Sequence, residues 1–107
     1  MVPAPPEIGG LRVLSYTPID ARHAFTGRNE RRYVGGRLRE EILFGPMAGL
    51  AICQECGGRE VHLVGCDANW QPQWSTACAS IEAARAQAEF EYAGVDHTWV
   101  PVDRGGS

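Results

Sequence analysis

Leu50-Ala-Ile-Cys-Gln-Glu-Cys-Gly57-Gly58-Arg-Glu-Val61-His-Leu-Val-Gly-Cys66 decides the fold. Two short apolar runs, Leu50 to Cys53 and Val61 to Cys66, flank paired glycines. Paired glycines suit the positive φ angles of a tight hairpin turn. With the turn at Gly57-Gly58, Leu50 faces Gly65, Ile52 faces Leu63 and Gln54 faces Val61. Side chains alternate across a strand, so Leu50, Ile52, Val61 and Leu63 share one face, expected to be core. Ala51, Cys53, His62, Val64 and Cys66 line the other face, which is small and mostly apolar and suited to being covered as well.

The next segment extends this hairpin. Asp67-Ala-Asn-Trp70 reads as a turn in which Asp and Asn bond nearby backbone. Gln71, Gln73 and Ser75 then alternate with Pro72, Trp74 and Thr76, as a half-buried third strand requires. Pro72 lacks an amide donor and marks that strand as an edge or as short. Ser80 to Tyr92 reads as a helix: Ser80 caps it, Glu82 suits the positive end of its dipole, and Gly94 ends it. At 100° per residue, Ile81, Ala84, Ala88 and Tyr92 form one apolar stripe. Ala83, Ala86 and Phe90 form a second on nearly the opposite side. A surface helix needs only one, so the second packs on the N-terminal segment or meets another chain.

The first half is less patterned. Leu11 to Tyr16 reads as a short edge strand stopped by Thr17-Pro18. Residues 19–30 show no period and read as loop. Arg31 to Glu41 reads as a small hairpin closed by Gly35-Gly36, with Tyr33 facing Leu38 and Arg32 facing Arg39. Like charges directly opposite are unfavourable, so Arg32 and Arg39 invite an anionic partner. Val100 and Val102 suggest a final short strand. The expected organisation is a disordered or extended tail over 1–10, one α+β domain over 11–102 and a frayed tail over 103–107. The fold class expected is an antiparallel sheet of four to six strands with one main helix, about 80–92, on one face.

Composition narrows the function. The 107 residues suit one domain. All ten basic residues are arginine, which reads as codon bias. Residues 1–40 carry seven arginines and four acids, hence +3; residues 41–107 carry three and nine, hence −6. A net charge of −3 opposes nonspecific nucleic-acid binding, which rests on phosphate neutralisation. No apolar run approaches the roughly 20 residues of a membrane span. Met1 to Glu7 has neither a basic start nor an apolar stretch, so no signal peptide is expected there. Four cysteines without such a signal imply reduced thiols and a cytoplasmic location.

Chemistry-bearing motifs are sparse. Cys53-Gln-Glu-Cys56 resembles one knuckle of a zinc ribbon, and His62 faces Cys53 across the hairpin. A structural zinc site takes four ligands. Cys66 lies seven residues along the strand from the position opposite Cys56, about 23 Å away. No metal and no cofactor are therefore expected; Cys53, Cys56 and His62 come nearest to a metal set. Asp20, His23, His62 and His97 are the acid and histidine material for hydrolysis, but no nucleophile motif accompanies them. There is no phosphate loop or dinucleotide fingerprint. An enzyme is not expected.

Leu50-Ala-Ile-Cys53, Leu63-Val-Gly-Cys-Asp67, Trp70 and Ala84-Arg-Ala-Gln-Ala-Glu-Phe-Glu-Tyr92 together resemble a group of small uncharacterised bacterial proteins. The likeness covers roughly the second half of the chain. It implies a compact α+β domain and carries no activity or site residue with it. Gly65-Cys66 followed by Ser80-Ile-Glu-Ala-Ala is also similar in layout to the strand-strand-helix half of HicB-type antitoxins. The reading that results is a small non-enzymatic protein-binding domain, of immunity or antitoxin type, with Phe90, Glu91, Arg32, Arg39 and Trp74 as candidate contact residues. Two alternatives stand beside it: a metal- or ligand-binding module using Cys53, Cys56 and His62, and a self-associating domain, a homodimer through Phe90.

Overall fold

The computed structural model describes residues 3–26, 33–34, 37–38, 47–55 and 57–102. In chain order the elements are β1 (Glu7–Ile8), β2 (Leu11–Pro18), β3 (Ala24–Phe25), β4 (Tyr33–Val34), β5 (Arg37–Leu38), β6 (Gly49–Gln54), β7 (Val61–Cys66) and β8 (Pro72–Cys78). Helix α1 (Ile81–Glu91), β9 (Tyr92–Ala93), a 3-10 turn at Val95–His97 and β10 (Val100–Pro101) complete the fold. This is an α+β architecture. Four long strands, extended by two-residue pieces, form an antiparallel sheet in the order β1-β2-β6-β7-β8-β4-β5, with β10 also on β2. Helix α1 is the one main helix among the described residues.

The central hairpin has the register that its glycines dictate: Leu50 pairs Gly65, Ile52 pairs Leu63 and Gln54 pairs Val61. Its two faces belong to two apolar clusters. Leu50, Ile52, Val61 and Leu63 pack with Trp74, Ala84, Ala88, Tyr92 and Val95. The small residues Ala84 and Ala88 let α1 approach the strands closely. On the reverse face Ala51, Cys53, Val64 and Cys66 pack with Ile8, Val13 and Trp70. Burial of both faces follows from the near-continuous apolar composition of β6 and β7. Each buried Leu or Ile there contributes about 1.5–3 kcal/mol.

Helix α1 begins as its sequence specifies, with Ser80 Oγ accepting from the Ala83 amide at 3.0 Å. Its end differs from expectation. The helix stops at Glu91, and Tyr92-Ala93 turn extended to pair with β3. Thr26 replaces a glycine cap: its hydroxyl donates to the carbonyl of Phe90 at 2.8 Å and its amide to that of Glu91 at 2.9 Å. Gly94, at φ 99°, opens the following 3-10 turn instead.

Strand β2 also departs from expectation. It is an interior strand and not an edge, flanked by β6 on one side and by β1 and β10 on the other. It also runs through Thr17-Pro18. A register shift between Val13 and Ser15 breaks the alternation, so Val13 and Tyr16 join the reverse-face cluster while Leu14 packs on the helix side. Within residues 1–10, Glu7-Ile8 are extended and pair with β2, and Ile8 is buried. Pro72 is the first residue of β8, where a missing donor is tolerated; β8 itself pairs with β7 and, at Ser75, with β4. The short hairpin of β4 and β5 pairs Tyr33 with Leu38, as its glycines predict.

Candidate functional site

The outer face of α1 carries the strongest surface signal of the helix. Glu82, Ala86 and Phe90 recur every four residues and all three are exposed. Phe90 is 44% exposed, so the second apolar stripe is not sealed. Beside it lies a concavity of about 400 Å³ lined by Glu82, Arg85, Ala86, Glu89 and Asp96. Arg85 is committed there: its guanidinium donates to the Asp96 carbonyl at 3.1 Å and lies 3.2 Å from the Asp96 carboxylate. Glu89 accepts from the Gly94 amide at 2.8 Å and so holds the 3-10 turn against the helix. The surface left is an aromatic ring in an acidic surround.

The other contact candidates divide. Trp74 is only 4% exposed and sits in the core, so it does not face a partner. Glu91 is fully buried, with its carboxylate accepting from Gln87 Nε2 at 2.7 Å; it is a structural group and not a surface one. Its position on the helix projects it beside Ala84 and Ala88, which helical spacing alone foretells. Arg32 and Arg39 lie outside the described residues.

At the turn end of the β6–β7 hairpin lie the cysteine and histidine residues that come nearest to a metal set in the sequence. His62 does face Cys53. Cys53, however, is fully buried, and burial pushes its thiol up to about 12, far from the thiolate that binds metals. Cys56 lies outside the described residues. Glu55 and Glu60 stand one step beyond the Gln54–Val61 pair, on the His62 face. One donor atom from each of Glu55, Glu60 and His62 lies within 4.8 Å of the others. The signal for these glutamates is in the hairpin register, which places them on either side of the turn, each next to the Gln54–Val61 pair.

Asp20, His23 and Thr98 have the outline of a hydrolytic triad with the wrong proton. His23 Nδ1 accepts the Asp20 amide hydrogen at 3.0 Å, so in the neutral ring the proton is on Nε2. That nitrogen lies 2.9 Å from Thr98 Oγ1 and donates to it. A general base would need the reverse tautomer, with Nε2 accepting the hydroxyl proton. The Asp20 carboxylate is occupied by Arg22, at 2.9 Å, which holds its pKa down to about 2. This trio therefore ties chain segments together and does not activate Thr98.

No helix among the described residues is long and apolar enough to cross a membrane. Set against protein-family models, curated proteins and solved structures, the chain matches none.

Proposed function

We propose that the protein is a non-enzymatic binding domain of the cytoplasm, of immunity or antitoxin type, that contacts a protein partner through the outer face of α1. The observation that carries this reading is Phe90, an aromatic side chain 44% exposed on a surface with Glu82 and Glu89. Aromatic residues, phenylalanine among them, are enriched at the cores of protein interfaces, and carboxylates around them select a basic partner and speed its approach. A nuclease active site is one such basic surface.

The test is photo-crosslinking in the native cell from a benzophenone side chain placed at Ala86. Capture of a discrete basic protein, lost on Phe90→Glu, supports the proposal. Capture indifferent to Phe90→Glu, or catalytic turnover in a broad substrate screen, overturns it. Exposed Phe90 also favours self-association. Light scattering after size exclusion separates that reading: a dimer that Phe90→Glu dissolves supports it, and a monomer in both cases ends it.

A further inference from the structure

We propose that Glu55, Glu60 and His62 form a binding site for a single divalent transition cation, zinc being the type case, at the turn end of the β6–β7 hairpin. The argument starts from register. Strands β6 and β7 pair as far as Gln54 and Val61, and just beyond that last pair the Glu55 and Glu60 carboxylates come within 4.8 Å of each other and of His62. Two carboxylates this close repel each other. Among the described residues, Glu60 pairs with no cation, and Glu55 meets only His62, at 3.8 Å, too long for a hydrogen bond. His62 supplies the second observation. Its Nε2 is shut off from solvent and has no hydrogen-bond partner, although a buried polar nitrogen ordinarily finds one. A cation between the three groups answers both deficits at once. It neutralises the neighbouring carboxylates and takes the imidazole lone pair.

The donor set and spacing fit. Two carboxylates and one imidazole suit zinc and its neighbours, and three protein ligands leave a fourth position for water. Bonds of about 2.1 Å in a tetrahedral site place donors about 3.4 Å apart. The present spacing, within 4.8 Å, closes to that by rotation of two exposed glutamate side chains. Cys53 lies on the same face and is fully buried beneath, so among the described residues the donors are oxygen and nitrogen. The site is remote from the outer face of α1 in sequence and chemistry, and neither proposal depends on the other.

Zinc(II) and cobalt(II) titrations of the chelator-stripped full chain test it. The expected result is saturable uptake of one ion, with cobalt d–d absorption and no thiolate-to-cobalt charge-transfer band. Glu60→Gln and His62→Gln should each weaken binding at least about tenfold, while Cys53→Ser leaves it unchanged. Glu55→Gln, at an exposed position, serves where His62→Gln fails to fold by circular dichroism. Absence of saturable uptake, affinity unaltered in the glutamine variants, or a thiolate band lost on Cys56→Ser would each overturn the assignment.

Discussion

The indole of Trp74 fills the space that Gly65 leaves empty. A Cβ on Gly65 would lie 2.3 Å from Trp74 Cε2 and 2.6 Å from Nε1, and the two residues pair directly across β7 and β8. Gly65 is therefore fixed by its neighbour and not by a turn, and Trp74 gains a flat backbone surface to lie on.

Gly65→Ala should consequently destabilise the fold by about 1–3 kcal/mol, the usual cost of overpacking. Trp74→Leu removes the obstructing ring and costs stability through lost burial. The two changes combined should cost less than their sum, because the smaller side chain accommodates the added methyl. Urea midpoints of the two single variants and the double variant measure this. Strict additivity would show that the ring and the glycine do not constrain each other.

The thiol of Cys66 sits in the reverse-face cluster, and burial is the chief cause that pushes it up to about 12. Cys53 is equally buried. Thiol alkylation proceeds through the thiolate, so iodoacetamide at pH 8 should leave both unmodified in the native protein and label both once it is unfolded. Mass-spectrometric mapping reads this out. Labelling of Cys66 at the rate of a free thiol would mean that the reverse face opens readily.

The sequence announces the parts of this fold that are local. The Gly57-Gly58 turn specifies the β6–β7 register to the residue, and Ser80 specifies the helix start, because turn and cap chemistry act over a few residues. The interior position of β2 is not legible in the same way. Its neighbour β6 lies over thirty residues away, and its alternation is interrupted between Val13 and Ser15. Trp74 reads as a contact residue because composition cannot distinguish a tryptophan lying on Gly65 from one facing water. Glu55 and Glu60 are legible in principle, since the same register that buries Ile52 and Leu63 brings them together.

Asp20 offers a pH-dependent prediction. Its carboxyl is held at about 2, below its usual 3.8, first of all by the hydrogen bonds from Arg22. A depressed folded-state pKa contributes stability above the unfolded value, and that contribution fades as pH falls through the folded value. Asp20→Asn should therefore melt below wild type at pH 5, with the gap closing between about pH 4 and pH 2. The gap should be small, as the pair is exposed and screened. Thermal melts across that range test it, and a gap independent of pH would remove the ion pair as its cause.

Thr98 joins three segments through one hydroxyl. It lies 2.9 Å from His23 Nε2, 2.7 Å from Thr17 Oγ1 and 3.2 Å from the Val95 carbonyl. With the His23 proton on Nε2, His23 donates to Thr98 and the chain runs on through hydroxyls to Thr17, which donates to the Pro18 carbonyl at 3.0 Å. Thr17 and the His23 ring are fully buried, so water cannot replace a missing partner. Thr98→Val keeps the shape and removes the hydroxyl, stranding the His23 donor at a cost of about 1–3 kcal/mol. Thr98→Ser keeps the hydroxyl and should recover most of that loss. Hydrogen exchange at the His23 amide, which bonds the Asp20 carbonyl at 3.0 Å, should quicken in the valine variant and not in the serine one. Equal stability of the two variants would mean that the hydroxyl chain contributes nothing and that Thr98 acts through packing alone.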